Sequence, residues 1–97
     1  MKFFNRQKAA PEMVTTGRFE MEQDGQVAYL EYAVSDNVIE LRHTEVPASV
    51  RGHGLSSALV KSALDWAREN HKKVDVICPT VAGYLKNHPE YADLLLK

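Results

Sequence analysis

The chain of 97 residues has a single cysteine, Cys78, so it cannot hold an internal disulfide and is not a stapled secreted scaffold. No apolar run is long enough to span a bilayer, and Met1-Lys2-Phe3-Phe4-Asn5-Arg6-Gln7-Lys8 lacks the apolar stretch of a secretion signal. Both absences lead to the expectation of a cytoplasmic, reduced protein. Charge bias is missing too: 12 Lys and Arg stand against 13 Asp and Glu, a net charge of -1. That gives no overall attraction to nucleic acid or to an anionic membrane, and neither is expected as a partner. His43, His53, Cys78 and His88 lack the paired short spacings of structural zinc sites, so no metal is expected. The most telling absence is local. No Asp or Glu lies between Glu45 and Asp65, although acidic side chains favour the first turn of a helix.

What is present fits one compact domain: 44% hydrophobic residues and no low-complexity tract. Residues 1 to about 16 mix charges with Pro11 and show no sustained periodicity, so they read as a loose N-terminal arm or an edge, with the domain at 17–97. Arg18 to Glu22 alternates polar and apolar residues, Asp24-Gly25 is a strong hairpin dipeptide, and Val27 to Val34 resumes as a strand. After the turn cluster Ser35-Asp36-Asn37, Val38 to Val46 gives a third strand that stops at Pro47. The first half is therefore an antiparallel three-stranded meander. From Gly54 to about Asn70, Leu55, Ala58, Leu59, Ala63 and Trp66, joined by Val60, Leu64 and Ala67, recur at helical spacing. Val74 to Cys78 is a short strand ended by Pro79. This order makes a βαβ unit, with residues 74–78 parallel to residues 38–46 and the main helix packed on a mixed sheet, an α+β fold. Val81 to Asn87 reads as a second short helix, and Tyr91 to Leu96 as a strand or a helical turn.

Arg51-Gly52-His53-Gly54-Leu55-Ser56 joins the third strand to the main helix, at the carboxyl end of the parallel strands where ligands of such sheets gather. Two glycines let the backbone curl so that several amides at a helix start can face one anion, and no carboxylate competes for that end. A P-loop is excluded because no Gly-Lys-Ser/Thr follows, and the dinucleotide fingerprint lacks its third glycine and ribose acid. By itself the Gly-x-Gly pair also fits an ordinary tight connection.

The stretch resembles the signature of the GNAT superfamily of acyl-CoA-dependent N-acyltransferases, Gln/Arg-x-x-Gly-x-Gly/Ala, with Ser56 at the last position. The chain is closer still to a group of very short, single-domain GNAT-like proteins, through Gly17-Arg18-Phe19, His43-Thr44-Glu45-Val46-Pro47, Cys78-Pro79 and Tyr84-Leu85-x-x-His88-Pro89-Glu90-Tyr91. The resemblance implies an acetyl-CoA-dependent N-acetyltransferase. Arg51, Gly52, His53, Gly54, Leu55 and Ser56 would hold the coenzyme A pyrophosphate and Val46 would run beside the pantetheine. It also implies an amine-bearing acceptor, small molecule or protein, on a monomer or weak dimer. Only Asp24-Gly25 separates strands that are joined by helices in longer members, so the acceptor site is open or completed by a partner.

Acetyl transfer needs a neutral amine, a stabilised oxyanion and a proton for the departing thiolate. The resemblance places Tyr84 beside the thioester sulfur, where its phenol is the candidate general acid; a half-buried packing tyrosine is the plain alternative. Cys78 reads either as a small buried hydrophobe or as an acyl shuttle, and the shuttle gives a second functional reading, a coenzyme A-binding or Cys-acylated carrier without transferase activity. His43 and Glu45, two apart on one strand face with Thr44 on the other, are the candidate bases. Their plain alternatives are a hydrogen-bonded sheet histidine and a solvated edge charge.

Overall fold

A computed structural model describes residues 2–9 and 15–96, with side chains from residue 15 onward. Five strands, β1 (Lys2–Ala9), β2 (Thr15–Gln23), β3 (Gln26–Val34), β4 (Val38–Glu45) and β5 (Lys73–Val76), form one sheet in that order. The first three pairings are antiparallel, and β4 and β5 run parallel. The sheet is thus mixed, and the expected meander gains a strand. Much of the segment expected as a loose arm or an edge is β1, paired with β2 along its whole length from Lys2↔Glu22 to Ala9↔Thr15. The rest of that segment, residues 1 and 10–14, lies outside the described residues.

The local reasons are legible. Asp24 and Gly25 both adopt positive φ, 53° and 77°, as a two-residue hairpin turn between Gln23 and Gln26 requires. Pro47 ends β4 and opens a 3₁₀ turn, Ala48–Val50. Helix α1 (Leu55–Glu69) buries Leu55, Leu59, Val60, Ala63, Leu64 and Ala67, the stripe expected from its spacing, with Ala58 and Trp66 at the margin. It crosses from β4 to β5 over the sheet face that carries Phe19, Ala28, Leu30, Tyr32, Ile39 and Leu41. Helix α2 (Pro79–Lys86) starts two residues before the expected position, because Pro79 supplies the preset φ of a first helical residue. The tail combines both expected outcomes: a 3₁₀ helix, Pro89–Leu94, then a parallel bridge from Leu95 to Val74.

One irregularity matters for the site. Glu31 faces His43 and Tyr32 faces Leu41, so Arg42 is an extra residue, a β-bulge in β4. On either side of it the pairing fixes which face each side chain takes. Leu41 and Thr44 point to α1, whereas Glu40, His43 and Glu45 point to the opposite face, which no helix covers among the described residues. That open face also carries Tyr29 opposite Glu45, and Arg18 places its guanidinium 3.6 Å above the Tyr29 ring.

The C-terminal turn is tied back to α1 by charged groups. Tyr91 donates to Asp65 Oδ1 at 2.7 Å, Lys61 donates to Oδ2 at 2.7 Å, and Arg68 grips both oxygens of Asp93 at 2.9 and 3.0 Å. Partial burial pushes the Asp65 carboxyl up, but the bonds from Lys61 and Tyr91 outweigh it and hold the group below its ordinary value of 3.8. A carboxylate with a depressed folded-state value contributes stability that is complete above the unfolded value and is lost as pH falls through the folded one. We therefore expect Asp65→Asn to lose less stability than the unmodified chain between neutral pH and pH about 3. Urea midpoints at the two pH values check this; an equal loss in both proteins refutes the assignment.

Candidate functional site

Beyond Leu41 the two parallel strands part. The last register pair is Leu41↔Val76, after which the amides of Ile77 and Cys78 both donate to Leu41 O, at 3.1 and 3.0 Å. The remainder of β4 has no strand on that side among the described residues, and its edge opens onto a groove. The first part of this groove, about 400 Å³, runs from Thr44, Glu45 and Val46 past Arg51, Gly52 and Gly54 to Leu55, Ser56 and Thr80. A second part, about 260 Å³, shares Ser56 and Thr80 and continues between α1 and α2 past Ser57 and Val60 to Gly83, Tyr84, Asn87 and His88.

The groove meets α1 at a bare N-terminus. Gly54 is the cap residue with φ 75°, it makes no side-chain cap, and the first turn holds no acidic residue. The first helical bond runs from Ala58 N–H to Gly54 O at 3.0 Å. The amides of Leu55, Ser56 and Ser57 therefore have no intrahelical acceptor and carry the positive end of the helix dipole. This is the chemistry of an anion site, and a diphosphate fits it.

Each residue singled out in the sequence has a definite place. Val46, Gly52, Gly54, Leu55 and Ser56 line the groove, whereas His53 is exposed beside it and is not part of the lining. Arg51 lines it as well, but its Nε is already donated to Val46 O at 3.0 Å, which clips the loop to the end of β4. Tyr84 lies in the second part of the groove, its ring stacked on His88 at 3.9 Å with 9° between the planes. Burial pushes the Tyr84 phenol up, so it holds its proton at neutral pH. His43 and Glu45 are joined by a 3.1 Å contact between Nε2 and Oε1 and are both exposed on the open face. The acid and base candidates therefore stand on opposite faces of the sheet, with the parted strands between them.

Cys78 is 2% exposed and is the N-cap residue of α2. Its Sγ lies 3.4 Å from Thr44 Oγ1, beneath the groove. Burial pushes the thiol up, but hydrogen bonds from Thr44, from the Val81 and Thr80 amides and from the Thr80 hydroxyl outweigh it and hold the thiol below its ordinary value. Thr44 and Thr80 are thus two site residues that the sequence did not single out. The alternation around His43 places Thr44 on the inner face, whereas Thr80 carries no signal until α2 is known to start at Pro79.

A family model described as GCN5-related N-acetyl-transferase matches residues 18–94. Protein NATD1 of Homo sapiens is 38% identical over 66 residues, which are 68% of this chain and 58% of the relative. Protein NATD1 of Danio rerio is 33% identical over 75 residues, 75% of this chain and 67% of the relative. N-acetylaspartate synthetase of Xenopus tropicalis is 36% identical over 62 residues, 64% of this chain but 22% of that protein. The chain thus spans less than two thirds of the length of the human relative. With the matched region running from β2 through the C-terminal turn, this chain belongs to the GCN5-related N-acetyltransferase family.

Proposed function

We propose that this chain is an acetyl-CoA-dependent N-acetyltransferase that acts on an amine. The observation that carries the reading is the single groove joining an uncapped helix N-terminus to the unpaired edge of β4. The amides of Leu55, Ser56 and Ser57 would hold the pyrophosphate. The backbone edge of β4 near Glu45 and Val46, which has no strand on that side among the described residues and where Arg51 Nε already bonds Val46 O, would hydrogen-bond the amide-bearing pantetheine arm as a strand bonds a neighbour. Family membership supports the cofactor, and the name of the Xenopus relative, N-acetylaspartate synthetase, includes an N-acetylated product.

Bound acetyl-CoA supplies an activated acetyl thioester. The chain's own residues manage protons and position. An acceptor reaching the parted strands from the open face meets the His43–Glu45 pair, where the carboxylate orients the imidazole and either group, directly or through water, takes the proton the amine sheds. Tyr84 holds a proton on the other side for the thiolate that leaves. Transfer then exchanges a C–S bond for a C–N bond, one proton passing to the base and one from the phenol.

Thiol release from acetyl-CoA across a panel of amines tests the reading. Amine-dependent release is expected, with kcat in Tyr84→Phe reduced roughly ten- to a hundredfold and the affinity for acetyl-CoA retained. Binding without any amine-dependent release would overturn it. The lowered Cys78 thiol under the groove favours one second reading, an acyl carrier. A stoichiometric acetyl adduct by intact mass, abolished in Cys78→Ser, would establish that reading instead.

A further inference from the structure

We propose that His88 is a positioning residue for the proton donor: by stacking on the face of the Tyr84 ring it holds the phenol so that the hydroxyl is left free for the departing thiolate. The inference rests on the transferase reading above. Tyr84 and Tyr91 lie close together, their ring centroids 6.4 Å apart, yet they are held in different ways. Tyr91 is buried and uses its hydroxyl as an anchor, donated to Asp65 Oδ1 at 2.7 Å, as packing tyrosines do. Tyr84 is half-buried, and its hydroxyl has no hydrogen-bond partner among the described residues. What fixes Tyr84 is its ring, against which the His88 imidazole lies flat, 3.9 Å between centroids and 9° between planes.

Local chemistry produces this contact. Tyr84 stands in the last turn of α2 and His88 four residues on, the spacing that brings side chains of successive turns together. The amides of Asn87 and His88 donate to Tyr84 O and Leu85 O at 3.1 and 3.2 Å, which keeps that turn closed. Pro89 then draws His88 out of the helical region, to φ -136° and ψ 67°. The imidazole is itself tied, because its Nδ1 meets Glu90 Oε2 at 3.1 Å. The Glu90 carboxyl is held below its ordinary value by its own backbone amide and by His88, so the carboxylate accepts and the nitrogen donates. A stacked imidazole has its N–H bonds in its own plane, and it therefore grips the phenol without engaging the hydroxyl.

The donor needs this help. When the C–S bond breaks, the Tyr84 O–H bond breaks too and its proton joins the sulfur, leaving a phenoxide that takes a proton from water before the next turnover. A phenol that titrates at about 10 yields its proton to the anion of a thiol at about 8.5 with a disadvantage of roughly thirtyfold. Burial of Tyr84 and the carboxylates of Glu90 and Asp65 widen that gap, and Lys61 opposes them. A reluctant acid is effective only when its hydroxyl is already aimed at the sulfur, and a misplacement of about 1 Å costs it dearly.

Thiol release from acetyl-CoA by the full chain, with the best amine of the panel, provides the test, run for His88→Ala with Tyr84 intact and again in a Tyr84→Phe background. With Tyr84 intact, His88→Ala is expected to lower kcat roughly tenfold and to leave the KM for acetyl-CoA within about twofold. In the Tyr84→Phe background no hydroxyl is left to place, and the same substitution should change kcat by less than about twofold. An equal loss in both backgrounds, or a loss carried by KM, overturns the proposal. A second pair serves if His88→Ala does not fold: His88→Phe keeps a ring against Tyr84, His88→Gln keeps a donor for Glu90, and only His88→Gln is expected to lose kcat. Equal kcat in these two variants overturns the proposal as well. Absence of amine-dependent release from the unmodified chain defeats the transferase reading and this inference with it, whereas release indifferent to His88 defeats this inference alone.

Discussion

Gly54→Val is expected to weaken acetyl-CoA binding about a hundredfold and to lower the melting temperature by roughly 10 °C. Gly54 caps α1 at φ 75°, and a Cβ built there meets nothing within 4 Å, so the cost is one of backbone conformation rather than of collision. For a β-branched residue the left-handed region costs roughly 2 kcal/mol. The chain has two ways to respond. It can keep the loop and become less stable, or it can leave the left-handed region and turn the amides of Leu55 and Ser56 away from the groove. The second response removes anion binding as well, because three convergent amides and a dipole act only when they converge. Calorimetry with acetyl-CoA and a thermal melt measure the two effects separately. Full affinity in a folded Gly54→Val protein would show that the loop holds no phosphate.

The largest effect on stability is expected at Phe19. Its ring is 1% exposed on the inner face of β2, 4.9 Å from the Tyr32 ring and 6.4 Å from that of Trp66, where it seats α1 on the sheet. Phe19→Ala removes a large buried apolar group and leaves a cavity that the flanking strands, fixed by pairing on both sides, cannot close. A loss of about 4 kcal/mol follows, from a total that for small domains is about 5–15 kcal/mol. The melting temperature should fall by about 20 °C, as followed by circular dichroism. A fall below about 5 °C would mean that the core around Trp66 repacks freely.

The elements that could be read directly are those whose signal is local. Asp24-Gly25 specifies its turn because both residues must adopt positive φ, and the α1 stripe is written in the spacing of Leu55, Leu59, Ala63 and Leu64. The parallel placement of β5 beside β4 follows from the long helical connection, which carries the chain back to the end of the sheet where β4 began. What stayed hidden depends on partners. β1 has no periodicity of its own, and its form is set by the edge that β2 offers. The tail is too short for its composition to decide between helix and strand, and it takes both forms, with Leu95 held by Val74. Within the site, the groove loop announces itself through glycines and missing acids. The contact of Thr44 with Cys78 requires that β4 end where α2 begins, which no residue pattern encodes. The bulge at Arg42 is equally silent, since it shows only in the pairing of β4 with β3.

That bulge makes Arg42 a residue that the ladder carries without pairing it, so the facing of the site residues depends neither on its identity nor on its presence. Exchanging Arg42 for another residue leaves the strand in phase. Deleting it would close the ladder, because Leu41 and His43 already oppose the consecutive residues Tyr32 and Glu31, and would leave Thr44 inward and His43 and Glu45 outward. A lineage can therefore rewrite the letter at this position, or drop it, and the two sides of its site keep their places.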